Sequence, residues 1–177
     1  MIKMCWKAIP IFLFLLLSIF LWRGLSLNPH ELPSTQIGKS VPDFRLPQLQ
    51  NPESFFNSRQ LRDQVVLLNV WASWCAACVD EQVFMLQLAR QGIPIYGLNY
   101  KDTSTAALQW LSQWGNPYKQ VFQDRQGTVA IDLGVYGAPE TFVIDKKGVI
   151  RYRHAGVINQ EIWLKEIAPL MQQLERA

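Results

Sequence analysis

The sequence contains little cysteine and little histidine. Its 177 residues include three cysteines, Cys5, Cys75 and Cys78, and two histidines, His30 and His154. Cys5 lies before the apolar run near the N-terminus, so we expect it to take no part in the function. The remaining chain has no cysteine besides Cys75 and Cys78 for a structural disulfide. A tetrahedral zinc site would need more Cys or His ligands beside Cys75 and Cys78. The composition therefore argues against zinc, and we predict no metal site.

An excess of charge of one sign is also missing once the N-terminal segment is set aside. Three of the 17 basic residues and none of the 14 acidic residues lie in residues 1–27, so the rest of the chain is balanced. No basic surface for nucleic acid is therefore expected. The chain has no internal repeat, and 49% hydrophobic with 18% charged residues fits one folded domain with short additions.

The one long apolar run extends from Ile9 to Trp22. No pattern of small residues for signal cleavage follows it, and Trp6 and Trp22 flank it where interfacial aromatic residues are common. Two basic residues precede the run and one follows it, which favours a cytoplasmic N-terminus. A cleaved secretion signal is the alternative to an uncleaved anchor. We predict three parts: a membrane anchor over 1–27, a linker over 28–39 and a domain over 40–177.

Strand-like segments recur through the predicted domain. Apolar, β-branched runs over 65–72 and 93–100 predict central strands, because both faces of a parallel sheet are buried. The other predicted strands are a short edge strand over 41–47, a strand over 121–123, and a hairpin of 141–144 with 149–153.

Helical segments alternate with these strands. The predicted helices cover 75–91, 104–114, 128–133 and 159–175, and a helical turn covers 58–61 within a polar connection. On the first of them Val83, Leu86, Leu88 and Ala89 are expected to be buried, and Ser104 is expected to cap the second. The alternation predicts an α/β fold with a central mixed sheet flanked by helices.

The cysteines Cys75 and Cys78 lie between a predicted strand and a predicted helix. At such a junction a C-x-x-C spacing indicates a redox pair. Unpaired N–H groups and the partial positive charge of a helix N-terminus favour the thiolate of Cys75, which is the form that attacks a disulfide. Cys78, one turn further, can reach the same sulfur. We therefore predict Cys75 as the nucleophile and Cys78 as the resolving cysteine.

Several segments together resemble a known family. With its Trp-Cys-Ala-Ala-Cys junction and its later Gly-Ala-Pro-Glu-Thr-Phe run, the chain is similar to thioredoxin-fold proteins. More narrowly it resembles the CcmG/DsbE family, the membrane-tethered thiol:disulfide interchange proteins of cytochrome c maturation. The segments that carry this resemblance are Leu68–Cys75, Asn99–Asp102, Gly115–Tyr118, Gly134–Phe142 and Arg151–Gly156. The fourth is the most specific, because other thioredoxin relatives share only its proline. Ala76 and Ala77 depart from the family, which commonly has proline after the first cysteine, and this leaves the redox potential open.

The resemblance implies a function. It implies a thioredoxin-like domain in the periplasm, held by a single-pass anchor in the bacterial inner membrane. The domain would reduce the cysteines of apocytochrome c before haem attachment, with no cofactor besides the Cys75–Cys78 pair. Electrons would arrive from a membrane thiol transporter of the DsbD or CcdA type.

Two other functions stay open. One is a general periplasmic reductase of the TlpA or ResA kind, because the sequence does not identify the client proteins. The other is a copper-carrying assembly factor on the same fold. That family usually spaces its cysteines C-x-x-x-C and adds a distant histidine, so the spacing in this chain disfavours it.

A proline is the next expected site residue. Pro139 is predicted to form a cis peptide bond facing the sulfur of Cys75, which would leave the backbone of Ala138 free to pair with a substrate strand. An ordinary turn proline is the alternative. Trp74 and Tyr136 are expected to line the substrate groove, and Glu140 is expected to be its acidic neighbour beside the proline, or else a solvated turn residue.

Glu81 is the expected proton-handling residue. It lies one turn after Cys78 on the same side of the helix. Asn69 occupies the position, six residues before Cys75, where thioredoxins usually have a buried aspartate. Our hypothesis is that Glu81 replaces that aspartate, disfavours the thiolate electrostatically and so makes the pair more reducing. A solvated helix residue is the alternative. Trp71 is expected to pack in the core beneath the site.

Overall fold

The structure is a computed structural model that describes residues 2–25 and 36–177. The chain divides into two compact units, Met1–Pro33 and Ser34–Ala177, and each is described by itself. Most of the predicted linker, residues 28–35, lies outside the described residues.

In the described part of the first unit, residues 2–25, the chain forms one helix. Helix α1 covers Ile2–Leu25 and contains Pro10, and the large apolar side chains from Ile9 to Trp22 are exposed. Among the described residues, no helix combines the length and the apolar character that a membrane crossing requires.

Seven strands and five further α-helices form the second unit. The strands are β1 (Arg45–Pro47), β2 (Phe55–Asn57), β3 (Val66–Trp71), β4 (Ile95–Tyr100), β5 (Gln120–Asp124), β6 (Glu140–Ile144) and β7 (Ile150–Ala155). The helices are α2 (Ala76–Arg90), α3 (Ser104–Trp114), α4 (Thr128–Asp132), α5 (Gln160–Ile162) and α6 (Ala168–Arg176). A 3-10 turn covers Ser58–Leu61, and a π-helical segment covers Trp163–Ile167 between α5 and α6.

The main sheet has the strand order β5-β4-β3-β6-β7. Strands β3, β4 and β5 run parallel, whereas β6 pairs antiparallel with β3 and β7 pairs antiparallel with β6. The predicted mixed sheet is therefore confirmed. Every residue of β3 and β4 is buried, as expected of central strands that are covered on both faces.

Strand β3 separates two apolar clusters. Because successive side chains of a strand point to opposite faces, Leu67 and Trp71 join a cluster with α2, α3 and the C-terminal helices. Leu68 and Val70 join a second cluster, which includes Phe56 of β2. Asn69 lies on the same face of β3 as Leu67 and Trp71, so its polar side chain is directed from the middle of the strand toward α2. The predicted packing of Trp71 in the core is confirmed, because it is fully buried.

The second strand lies in the stretch that the sequence predicted as a polar connection. Strand β2 pairs antiparallel with β1 in a separate two-stranded sheet, so the predicted edge strand finds its partner there. Isolated bridges and a hydrogen bond from the N–H of Leu49 to the carbonyl of Val121 link that region to the main sheet. Three residues with one buried side chain are too few to show a period. The predicted helical turn after β2 is confirmed by the 3-10 turn.

Helix α2 buries a different stripe from the expected one. Leu88 is buried as predicted, but Val83 is 64% exposed, and two polar residues, Glu81 and Gln82, are buried instead. Each has a partner: Gln82 Nε2 donates to Gly115 O at 2.7 Å, and Glu81 accepts two hydrogen bonds. The spacing of apolar residues along the helix cannot identify such buried polar residues, because their burial depends on hydrogen-bond partners that are distant in sequence.

The second predicted helix has the predicted bounds but a different cap. The side chain of Thr103, rather than that of Ser104, accepts from the N–H of Ala106. The final helix begins after Asn159, whose side chain caps it as predicted.

Substitution of Phe56 tests how much the two-stranded sheet contributes to the stability of the domain. Its ring is fully buried and stacks on Phe122 with centroids 4.2 Å apart. We expect Phe56→Ala to lower the free energy of unfolding by about 3–5 kcal/mol, because it leaves a cavity between the two sheets. Urea unfolding measures the loss.

Phe55 is the matched control for this substitution. It is the preceding residue on β2, is 44% exposed and contacts only the Arg45 guanidinium, 4.0 Å from its ring centroid, among the ring contacts of the described residues. Phe55→Ala should cost about 1 kcal/mol or less. Equal losses for the two variants would contradict the assigned packing.

Candidate active site

The two cysteines lie where β3 passes into α2. Cys75 is the N-cap residue of α2, with extended backbone, and its Sγ accepts from the N–H of Cys78 at 3.1 Å. The two residues form a disulfide. Cys75 is 5% exposed and Cys78 1% exposed, so Cys75 is the more accessible residue of the two.

This position is suited to thiol chemistry. The first N–H groups of a helix have no partner within the helix, and the helix end carries partial positive charge. One of these N–H groups already points at the sulfur of Cys75. When the disulfide is reduced, the same arrangement stabilises a thiolate on Cys75.

Glu81 lies beneath the disulfide and is almost completely buried, with 2% exposure. Its two carboxylate oxygens accept from different elements: Oε1 from Asn69 Nδ2 at 2.9 Å, and Oε2 from the N–H of Ile158 at 3.1 Å. Burial is the main cause that raises the pKa of Glu81 from 4.5 to about 7, and the two hydrogen bonds oppose it. Glu81 is therefore not the solvated residue of the alternative interpretation, and it can exchange a proton near neutral pH.

Asn69 connects Glu81 to two residues that nothing in the hydrophobic pattern singled out. Asn69 Nδ2 also donates to Thr141 Oγ1 at 3.0 Å, and the Tyr118 hydroxyl donates to Asn69 Oδ1 at 2.8 Å. All three residues are buried. The available sequence signal for Tyr118 was its place in the Gly-Asn-Pro-Tyr segment that carries the family resemblance.

The Ala138–Pro139 peptide bond is cis, as predicted. Pro139 is buried, and Ala138 is partly buried against the cluster that contains both cysteines. The carbonyl of Pro139 accepts from the N–H of Gly156 at 2.9 Å. The proline is therefore tied to the segment that follows β7, whereas the pairing of Ala138 with a substrate stays a prediction.

Glu140 is buried beside the proline. It is 2% exposed, so it is not a solvated turn residue, and its place as the acidic neighbour of a substrate groove stays a prediction. Its carboxylate forms an ion pair with Arg153 at 2.7 Å and accepts from the N–H groups of Tyr136 and Gly137. Local sequence could not indicate this, because Arg153 reaches Glu140 only through the pairing of β6 with β7.

The two aromatic residues that were predicted to line the groove are exposed, and each contacts a neighbouring residue. Tyr136 is 69% exposed, and the Arg153 guanidinium carbon lies 4.6 Å from its ring centroid. Trp74 is 56% exposed, and its indole N–H donates to the carbonyl of Lys101 at 3.0 Å. Their contact with a substrate stays a prediction, but both rings are free to make one.

Asp102 fixes the turn before the cysteines and was not among the predicted site residues. Its carboxylate accepts from the N–H of Ser73 at 2.6 Å and from the Ser73 hydroxyl at 2.8 Å. It also accepts from Asn99 Nδ2 at 3.0 Å. These bonds attach the Ser-Trp-Cys turn to the end of β4.

The raised pKa of Glu81 implies a pH dependence of stability. Folding raises this pKa from 4.5 to about 7, so the folded state holds the proton more tightly than the unfolded state. The stabilisation is complete below the unfolded pKa and is lost as the pH rises through the folded pKa. Relative to Glu81→Gln, the oxidised protein should lose up to about 3 kcal/mol of unfolding free energy across this window, measured by urea unfolding.

Asp80→Asn is the matched control, because Asp80 is the exposed neighbour on the same helix. Its pH curve should follow that of the unsubstituted protein. Parallel curves for Glu81→Gln and the unsubstituted protein between pH 4.5 and 7 would show that Glu81 does not titrate there.

Comparison with known proteins agrees with this geometry. Residues 36–171 match the Redoxin family. The thiol:disulfide interchange protein DsbE of Pseudomonas aeruginosa is 48% identical over 166 residues, which cover 94% of this chain and 92% of the relative. DsbE of Escherichia coli strain K12 is 46% identical over 174 residues, covering 95% and 94%.

A solved structure gives the same result for the fold. The crystal structure of a putative thiol:disulfide interchange protein DsbE from Chlorobium tepidum superposes with a TM-score of 0.65 and 25% identity, covering 83% of this chain and all of that one. The chain therefore belongs to the Redoxin family and, within it, to the DsbE thiol:disulfide interchange proteins, and it is a thiol:disulfide oxidoreductase.

Proposed function

We propose that this protein is a periplasmic reductant of apocytochrome c cysteines during cytochrome c maturation. The observation that carries the proposal is the cysteine pair at the N-terminus of α2, where the sulfur of Cys75 accepts from the N–H of Cys78 and the buried acid Glu81 lies one turn after Cys78. The Gly134–Phe142 segment, whose resemblance is the most specific, contains the cis bond, and Ala138 packs against the cluster that includes both cysteines. No cofactor other than the pair itself is needed for the reaction.

The reaction proceeds through two exchanges. The thiolate of reduced Cys75 attacks one sulfur of the client disulfide, forming a mixed disulfide and releasing the other client sulfur as a thiolate. Cys78 then attacks the sulfur of Cys75, which releases the second client thiolate and closes the Cys75–Cys78 disulfide. The client gains two electrons and this protein loses two. Because Cys75 is the more exposed of the two, it makes the first attack.

Glu81 supplies the proton handling in this mechanism. Cys78 must lose a proton to attack, and Glu81 lies one helical turn away with a pKa of about 7. In its charged form the carboxylate also repels a nearby thiolate, which favours the disulfide and makes the reduced pair a stronger reductant. Both effects require a buried acid at this position.

The surroundings of the pair form the client surface. The backbone at Ala138 pairs with an extended client strand, and Trp74 and Tyr136 contact its side chains. The buried Glu140 acts indirectly, because it holds the backbone of Tyr136.

The proposed location is the periplasmic face of the inner membrane. Support comes from the exposed apolar side chains of α1 and from the basic residues before them. Residues 1–27 form the anchor in this proposal and residues 28–39 the linker to the domain. A membrane thiol transporter of the DsbD or CcdA type then reduces the Cys75–Cys78 disulfide after each turnover.

Trapping of the mixed disulfide tests the roles of the two cysteines. Reduced Cys78→Ser protein, mixed with a peptide that carries an oxidised C-x-x-C-H site, should accumulate a covalent complex, because the variant lacks the cysteine that carries the exchange forward. Non-reducing gel electrophoresis with mass spectrometry identifies the bond. Cys75→Ser should trap nothing. A complex formed through Cys78 in that variant would reverse the assigned roles, and equal reaction with an unrelated disulfide peptide would favour a general reductase.

The redox equilibrium with glutathione tests the direction of electron flow. We expect the Cys75–Cys78 couple to lie well below the roughly −120 mV of the strong oxidant DsbA. Glu81→Gln should raise the potential, because it removes the negative charge that disfavours the thiolate. Asp80→Asn again serves as the control. A potential near that of strong oxidants would overturn the reductant assignment.

A further inference from the structure

A buried tyrosine outside the predicted site completes the hydrogen-bond chain beneath the disulfide. Tyr118 follows α3 and precedes β5, and its hydroxyl donates to Asn69 Oδ1 at 2.8 Å. Asn69 in turn donates to Glu81 Oε1 at 2.9 Å. The side chain of Tyr118 thus reaches the acid through one intervening amide.

The turn before β5 is built to place this tyrosine. The N–H of Tyr118 donates to the side chain of Asn116, and the carbonyl of Gly115 accepts from Gln82 on α2. The ring stacks on Trp71 with centroids 5.6 Å apart. A Cβ at Gly97 on β4 would lie 2.9 Å from Tyr118 Cγ, so glycine leaves the space that the ring occupies.

The orientation of the Asn69 amide decides what Glu81 faces. An amide offers donors on one side and an acceptor on the other. With Nδ2 toward Glu81 it stabilises the carboxylate, whereas with Oδ1 toward Glu81 it would repel the carboxylate and accept only from the protonated acid. The third partner, Thr141, cannot choose between these states, because a hydroxyl both donates and accepts.

Tyr118 does choose between them. Asn69 Oδ1 is the one hydrogen-bond partner of the Tyr118 hydroxyl within the described residues, so a reversed amide would leave that O–H buried without an acceptor. Burial, with a smaller contribution from the charge of Glu81, raises the pKa of Tyr118 far above its ordinary value, so the hydroxyl keeps its proton.

We propose that Tyr118 is a positioning residue for Glu81: its hydroxyl fixes the Asn69 amide with an N–H directed at the carboxylate. The inference deepens the proposed role of Glu81 and rests on it. Tyr118 thereby sets the pH at which the buried acid gains and loses its proton, without touching a substrate or a reacting sulfur.

Few other groups can influence Glu81. The groups that face it are Asn69 from β3, the N–H of Ile158 and, across the amide, Tyr118. On its own helix the neighbours with an ionisable side chain are the exposed Asp80 and, once the disulfide is reduced, Cys78 one turn back. In the described part of the chain no lysine, arginine or second carboxylate forms an ion pair or shares a hydrogen bond with it.

The test is the titration of Glu81 in the full-length protein, followed by the NMR signal of its side-chain ¹³C carboxyl. In Tyr118→Phe the amide can reverse, and the carboxylate loses support, so the titration of Glu81 should move to higher pH by about half a unit or more. Tyr96→Phe is the matched control, since it removes a tyrosine hydroxyl that bonds to Gln64 and not to the chain of Glu81. It should leave the titration unchanged, and an unmoved or lowered midpoint in Tyr118→Phe overturns the proposal.

Two further measurements keep the outcome unambiguous. In the unsubstituted protein, the Asn69 side-chain ¹⁵N signal should shift with pH at the same midpoint as the Glu81 carboxyl. A signal that does not change at that midpoint refutes the coupling of Asn69 to Glu81, even if Tyr118→Phe folds poorly. The pH profile of thiol exchange should move in Tyr118→Phe and no longer move in the double variant with Glu81→Gln. If Tyr118→Phe shifts the carboxyl titration but Glu81→Gln leaves the exchange profile unchanged, the positioning stands and the catalytic role of Glu81 fails.

Discussion

The burial of one carboxylate beneath a disulfide is the constraint on which the site depends. Glu81 is 2% exposed, and a buried charge is tolerated only with hydrogen-bond partners. Those partners come from the middle of β3 and from the segment before α5. Glu81 therefore joins α2, β3 and the segment before α5 through hydrogen bonds. Cys75 lies where β3 passes into α2, so its position depends on two of these three elements.

A second buried carboxylate organises the other side of the site. Glu140 is neutralised by Arg153 across the β6–β7 pairing and holds the backbone at Tyr136. Arg153 also lies against the Tyr136 ring. Tyr136 and Trp74 are exposed, whereas the carboxylates Glu140 and Glu81 are buried.

The parts of the fold that sequence could predict were those with a strong local signal. Central strands such as β3 are apolar apart from Asn69 because they are covered on both faces, and α3 has its predicted bounds because its periodicity is clear. Strand β2 was not predicted, since one buried ring in three residues makes no period. Val83 was assigned to the core although it is 64% exposed, because the stripe that α2 buries includes polar residues with distant partners.

The sequence alone determined the redox pair, because the spacing of two cysteines at a strand–helix junction is fixed within a few residues. For Pro139 and Glu81 the sequence left an ordinary turn proline and a solvated helix residue open, and the structure decided between these alternatives through the cis bond and the burial of the carboxylate. Only the tertiary structure decided which polar groups are buried together. Tyr118 lies 49 residues from Asn69, and Asn69 lies 72 from Thr141, so no local pattern could place their hydrogen bonds in one chain beneath the disulfide.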